Sequence, residues 1–215
     1  MKISIMCNDP EHPVNATLQL WMERHANEHE IEIIRNKNEL SGGDILFLIS
    51  CWTIISEAER SLYKASLVLH ASDLPLGRGW SPHIWEIASG ADHITVTLLE
   101  AEDRVDTGRI WRKSRTEIPR NALWDEINHL LFTAEIELMD FALENIYSIR
   151  PEMQPLSVAG SYHRKRSPLD SRLDPYKTIA EQFDLIRVCD PQRYPAFLVY
   201  RGQRYSLELV KLNEK

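Results

Sequence analysis

The stretch from Leu67 to Ile110, LVLHASDLPLGRGWSPHIWEIASGADHITVTLLEAEDRVDTGRI, constrains the fold more than any other part of the chain. A short apolar run, Leu67 to Leu69, ends in His70. A turn-rich loop with Pro75, Gly77 and Gly79 follows, and then a compact helix signal. Ser81 suits the cap of that helix, Pro82 its first position, where the N–H has no helical partner, and Gly90 its end. Ile94 to Leu99 alternates in the manner of a strand. The loop Glu100 to Gly108 then presents Asp106, 36 residues after His70. If the two strands are parallel, His70 and Asp106 share one carboxyl-end edge of a sheet, where open α/β folds bind their ligands.

The flanking segments predict the rest of such a sheet. Lys2 to Met6 and Ile31 to Arg35 read as strands around a helix, Ala16 to Ala26, with Leu18, Trp21, Met22 and His25 at helical spacing. The loop Asn8 to Asn15 contains no glycine, which argues against a dinucleotide fingerprint. Asp44 to Ser50 (DILFLIS) reads as a fully buried central strand. Ser56 and Glu59 form a capping box for a helix reaching Lys64. Ile110 to Lys113 reads as an edge strand, and Leu123 to Tyr147 as a long helix whose Glu126, Glu135, Glu137 and Glu144 face solvent. Pro151, Pro155 and Gly160 mark a boundary. The predicted organisation is a domain over 1–150 and an extension over 151–215, with a helix from Asp174 to Arg187 and a hairpin, Ala196 to Tyr200 with Arg204 to Val210. The fold class is therefore α/β: a Rossmann-like, mostly parallel twisted sheet flanked by helices, with a small C-terminal helix and β-hairpin.

Charge narrows the partners. The net charge is −7, but residues 151–215 carry +3 and the first 150 carry −10. An acidic body lacks the basic footprint of a nucleic-acid binder. Three widely spaced cysteines, Cys7, Cys51 and Cys189, have no metal-ligand spacing, and no run reaches the roughly 18 apolar residues of a membrane helix. A reduced, cytoplasmic, metal-free protein is expected.

His70, Ser72, Leu74 and Pro75, followed by a Gly-containing loop, a helix, a strand and then Asp106 and Gly108, form a specific combination. It resembles the 10-formyltetrahydrofolate-dependent formyltransferase family, clearly so over about residues 42–113. The resemblance implies that His70 and Asp106 are catalytic. It implies that Trp52, Thr53, Ile54 and Ile55 cradle the pterin of N10-formyltetrahydrofolate through backbone groups and apolar side chains, with Glu102 and Arg104 as further cosubstrate contacts. His12 and Asn15, in the first loop, are candidates for holding a phosphorylated substrate, although a plain loop histidine is an equal reading. Ser72, Arg78, Trp80, Arg164, Arg166 and Arg187 complete the candidate substrate contacts; for Ser72 the alternative is a turn residue. One position departs from the family pattern: Val68 stands where the family has a catalytic asparagine. A preorganised oxyanion donor of that kind is worth about 100- to 1,000-fold in rate.

The tail segment SYHRKRSPLDSRLDP resembles the end of the formyltransferase domain in amino-sugar members, and 65 residues are too few for the tRNA-handling barrel of the methionyl-tRNA enzymes. The expected reaction is formyl transfer to the amine of a nucleotide-linked amino-deoxy sugar, UDP-linked by preference, in surface-glycan biosynthesis. Hydrolysis of the formyl donor, and non-catalytic binding of folate or nucleotide sugar, are the alternatives. A homodimer is common in the family, and the tail hairpin offers an edge for it.

Overall fold

The computed structural model describes residues 1–212. Its elements are β1 (Lys2–Met6), α1 (Val14–His25), β2 (Glu30–Ile34), β3 (Gly43–Leu48), α2 (Glu57–Arg60), β4 (Tyr63–His70) and β5 (Arg78–Gly79). They continue with α3 (Pro82–Ala88), β6 (His93–Glu100), β7 (Ile110–Glu117), α4 (Trp124–Asn145), β8 (Tyr162–His163), α5 (Ile179–Arg187), β9 (Ala196–Tyr200) and β10 (Gln203–Leu207). The opening β–α–β unit, the central strand and the long helix all form where the hydrophobic patterns place them.

Six strands make one sheet in the order β2-β1-β3-β4-β6-β7. The first four are parallel, and β6 runs antiparallel to both β4 and β7. This corrects the expectation of parallel strands on either side of α3. The reason is one of length: a seven-residue helix climbs only about 10 Å, whereas the return beside an eight-residue parallel strand needs about 25 Å. His70 pairs with Thr97 and Leu67 with Glu100. Residues 101–109, not the end of a parallel strand, therefore carry Asp106 to the histidine.

The two faces of the sheet differ. On one, Ile3, Ile5, Ile45, Phe47, Leu67, Leu69 and Val96 form the main core with Leu18 and Trp21 of α1 and Leu131, Leu138 and Ala142 of α4. Trp21 packs edge-on against Phe47 and donates to Asp140 of α4 at 2.6 Å. On the other face a smaller cluster, Met6, Ile34, Leu46, Leu48, Ile55 and Tyr63, receives Val68 and Ala101. His70 lies two residues beyond Val68 and so on this second face.

Several local expectations change. Ser56 and Glu59 form their capping box, but the helix stops at Arg60 and β4 begins at Tyr63. Pro82 opens α3, whereas Ser81 adopts a left-handed φ of 45° and makes no side-chain cap. The last helix starts at Ile179 under a Thr178–Glu181 capping box, not at Asp174. Glu135 is not on a solvated face but 6% exposed, inside the main core side of α4. The hairpin forms as β9 and β10, turning at Arg201 and Gly202 with φ of 49° and 78°. Among the described residues no helix is long and apolar enough to cross a membrane. All three thiols are free, and burial pushes the Cys51 thiol up to about 11.

Candidate active site

β4 delivers His70 to the second face of the sheet, where it is nearly buried. Its Nδ1 lies 3.6 Å from Asp106 Oδ1, and its Nε2 is 2.9 Å from the carbonyl of Gly77. Both ring nitrogens thus face an oxygen, the Gly77 carbonyl at hydrogen-bond distance and the Asp106 carboxylate just beyond it.

Asp106 is held unusually. Its φ is 56°, the left-handed region, which costs an L-residue about 1–2 kcal/mol. Such a backbone persists only where neighbours over-determine it. Its carboxylate Oδ2 accepts from the Gly79 N–H at 2.8 Å, and its carbonyl accepts from Arg78 Nε at 3.1 Å and Gln154 Nε2 at 2.9 Å. The glycine of Asp-x-Gly is needed for close approach: a Cβ on Gly108 would sit 1.8 Å from the Glu100 carbonyl oxygen.

The loop that carries Gly79 is clamped by the chain beyond residue 150. β5 pairs with β8, Gly77 N–H donates to Ser161 Oγ at 2.8 Å, and Trp80 N–H donates to the His163 carbonyl at 3.0 Å. Gly79 is also required sterically, since a Cβ there would come 2.3 Å from the same His163 carbonyl oxygen.

Beside the pair, the segment after β3 offers an apolar rim. Trp52 and Ile54 are 54% and 59% exposed, while Ile55 is buried beneath them. Asn8 fixes this segment: its Oδ1 accepts from the N–H of Trp52 (2.8 Å) and Thr53 (3.3 Å), and its Nδ2 donates to Thr53 Oγ1 at 2.9 Å. The N–H groups of Trp52 and Thr53 are therefore committed, leaving carbonyls and apolar surface for a ligand. Val105, 47% exposed, lies on the loop with Asp106, as do the exposed Glu102 and Arg104. No side-chain donor stands at Val68, whose strand neighbours are Leu48 and Leu99.

A basic and aromatic patch adjoins β5 and β8. Lys165 lies over Trp80 at 4.7 Å, and Arg164 and Arg166 lie over Trp85 at 5.0 and 5.9 Å. The ring of His163 stacks on Trp85 at 6.0 Å. Arg164 also pairs with Asp170, holding that carboxyl well below the usual carboxylate range.

Other candidates are committed elsewhere, which corrects their reading as substrate contacts. Arg187 is 1% exposed and ties α5 to Asp184 and to the carbonyls of Pro119, Ala122 and Ala91. Asn15 donates to the carbonyls of Asp9 and His12 and accepts from Arg35, so its amide is spent inside the loop. Ser72 is fully buried and donates to the Leu76 carbonyl, a turn contact. Arg78 donates through Nε to the Asp106 carbonyl and through Nη2 to Gln154, so two of its donor groups serve the Asp106 loop. His12 accepts from Val14 N–H, and burial with the Arg193 charge lowers it to about 4, so it carries no charge for a phosphate at neutral pH. Sequence reasoning missed Asn8 and Gln154. A lone amide at a strand end or in a loop has no periodic signature, and only the fold brings each to its partners.

Residues 7–142, well over half of the chain, match the formyl transferase family model. The chain belongs to the formyl transferase family. Among formyl transferases it is 26% identical over 187 residues to the methionyl-tRNA formyltransferase of Clostridium beijerinckii, covering 84% of this chain and 59% of that protein. It thus spans about three fifths of that relative's length. In structure it is similar to HypX from Aquifex aeolicus in complex with tetrahydrofolic acid, with a TM-score of 0.80 at 21% identity over 97% of this chain and 37% of HypX. It is also similar to a sugar N-formyltransferase from Shewanella sp FDAARGOS_354, with a TM-score of 0.74 at 14% identity over 100% and 99% of the two chains. These structures share the formyl transferase fold: a mostly parallel sheet flanked by helices.

Proposed function

We propose that this protein transfers a formyl group from N10-formyltetrahydrofolate to the amine of a nucleotide-linked amino-deoxy sugar, with a UDP-sugar as the favoured acceptor in surface-glycan biosynthesis. The observation that carries the reading is the buried His70–Asp106 contact, set between an exposed apolar rim and a basic aromatic patch. The rim fits a flat heteroaromatic ring: Trp52, Ile54 and Val105 present apolar surface, and the carbonyls after β3 can accept from ring N–H groups. The bound donor supplies a formyl group on nitrogen that an amine can displace.

His70 then manages the proton. It accepts one from the acceptor amine as the new N–C bond forms and delivers one to the donor nitrogen as the old N–C bond breaks. Asp106 orients the ring and balances its charge. Substrate entry must draw Nε2 away from the Gly77 carbonyl, because neither ring nitrogen is otherwise open. On the acceptor side, Trp80 and Trp85 offer stacking faces, and Arg164, Lys165 and Arg166 offer charge for a diphosphate. The basic and aromatic character of this patch is what favours a nucleotide-sugar acceptor, since likeness of fold extends to sugar N-formyltransferases and methionyl-tRNA formyltransferases alike. The methionyl-tRNA relatives favour a larger one, but the body of this chain is acidic. Assembly as a homodimer in the cytoplasm completes the reading.

Val68 favours a second reading, a folate or nucleotide-sugar binder with little or no turnover. Single-turnover transfer to a panel of UDP-amino sugars separates the two. Formylated sugar from wild type but not from His70→Ala is expected. Donor binding without product on any amine would move the binding protein ahead.

A further inference from the structure

We infer that Gln154 is a positioning residue for the reacting pair, acting through Asp106. It lies outside the segment that matches the family model, and its side-chain hydrogen bonds go to Asp106, Gly108 and Arg78 rather than to His70. Its carboxamide is 93% buried by residue and is used on three sides. Nε2 donates to the Asp106 carbonyl at 2.9 Å and to the Gly108 carbonyl at 3.0 Å, while Oε1 accepts from Arg78 Nη2 at 2.6 Å. Arg78 Nε returns to the Asp106 carbonyl. One side chain therefore pins both carbonyls that flank Thr107, and it also anchors the guanidinium that makes the second contact.

The consequence is directional. The peptide after Asp106 points its carbonyl at Gln154, the residue is driven into its left-handed conformation, and the carboxylate is turned the opposite way. There Gly79 N–H takes Oδ2 and leaves Oδ1 toward His70. Without the two donors of Gln154, the Asp106 carbonyl keeps only the Arg78 contact, and Arg78 has lost its own side-chain anchor. Gln154 is in turn placed by the two backbone hydrogen bonds between Glu152 and Ile110, at the start of β7.

The test compares full-length wild type, Asp106→Asn, Gln154→Met and the double variant, each labelled with ¹⁵N-histidine. Methionine keeps the length of the side chain and removes donors and acceptor without adding charge. The His70 ring-nitrogen signals, assigned by their loss in His70→Gln, are expected to move in Gln154→Met in the direction set by Asp106→Asn. They are expected to move no further in the double variant. Unchanged signals in Gln154→Met, or shifts that add in the double variant, would overturn the inference. Should the methionine variant not fold, Gln154→Glu, which keeps the Arg78 contact, is read by whether its effect disappears in the Asp106→Asn background.

A kinetic arm rests on the transferase reading. In steady-state formylation of a UDP-amino sugar, Gln154→Met is expected to lower kcat roughly 10- to 100-fold, the scale of a small misplacement at a reacting centre. KM for 10-formyltetrahydrofolate is expected to stay within about twofold. An unchanged kcat would overturn the inference. No product even from wild type, together with the expected nitrogen shifts, would sink the transferase reading and leave the role of Gln154 intact.

Discussion

Glu135 carries a carboxyl into the packed side of α4, with Oε2 buried and without a hydrogen-bond partner. Burial lifts its pKa to about 8, so the folded protein holds it neutral at pH 7 while the unfolded chain, near 4.5, ionises it. The native state then binds more protons than the unfolded state between those values. Stability from this group is full below pH 4.5 and is lost as the pH rises through 8. The penalty at pH 7 is on the order of 3 kcal/mol. Glu135→Gln, neutral at every pH, is expected to be the more stable protein at pH 8 and to flatten the decline between pH 5 and 8; urea midpoints across that range measure it. Equal slopes for both proteins would reject the account. A charged residue on a long helix reads as solvated from sequence because spacing reveals the stripe but not how wide the neighbouring layer is. Val68 is the reverse case, an apolar residue whose importance was legible only from the family pattern. Between Leu48 and Leu99, near Ile55, it provides nothing for a developing oxyanion. Val68→Asn is expected to raise formyl transfer, by up to about 100-fold. It is also expected to lower stability by about 1–3 kcal/mol, because an amide enters an apolar cluster. No change in turnover would mean that another donor already serves.

At the scale of elements, the site depends on loops whose shapes are set from outside them. The segment after β3 is shaped by Asn8, at the end of β1, through three hydrogen bonds. Asn8→Ala is expected to weaken 10-formyltetrahydrofolate binding roughly tenfold, about 1.4 kcal/mol, with kcat nearly unchanged, because it frees the rim and leaves His70 alone. Calorimetry with the folate and a split between KM and kcat would check it; a fall in kcat with KM unmoved would contradict it. The loop bearing Gly79 answers differently. Gly79→Ala puts a methyl on the His163 carbonyl and breaks the bond to the Asp106 carboxylate, so kcat is expected to fall by at least about 100-fold. The strands and long helices were legible because periodicity of 2 and 3.6 survives in the residues themselves. The direction of β6 was not, since an alternating run reads the same both ways. The shortness of the α3 signal, Pro82 to Gly90, was the available hint. Two-residue pairings such as β5 with β8 carry no pattern and exist only because the fold presents one backbone to another.

The whole molecule places its chemistry where sequence-distant segments meet. His70 and Asp106 belong to the region 7–142 that matches the family, yet Gln154, Ser161 and His163 beyond it add contacts that fix Asp106 and the Gly79 loop. Further along, α5 packs on α3, and the buried Arg187 binds the carbonyls of Ala91, Pro119 and Ala122, tying the tail to the open end of the β6–β7 ribbon, where His93 pairs with Glu117. The chain before and after residue 150 is therefore joined by buried polar bonds as well as apolar contact, and removing either side leaves the other with unpaired buried groups. Such coupling argues for one cooperative unit in spite of the proline-marked boundary and the change in charge at 150. Urea unfolding followed by far-ultraviolet circular dichroism and by tryptophan fluorescence is expected to give one transition with coincident midpoints. All six tryptophans, Trp21 to Trp124, lie before residue 150, so fluorescence reports the body, while circular dichroism also senses α5 and the hairpin. A circular dichroism change that precedes the fluorescence change would show the tail releasing first. In that event formyl transfer should be lost with the earlier transition, because the clamp on Asp106 leaves with the tail while the sheet that carries His70 still stands.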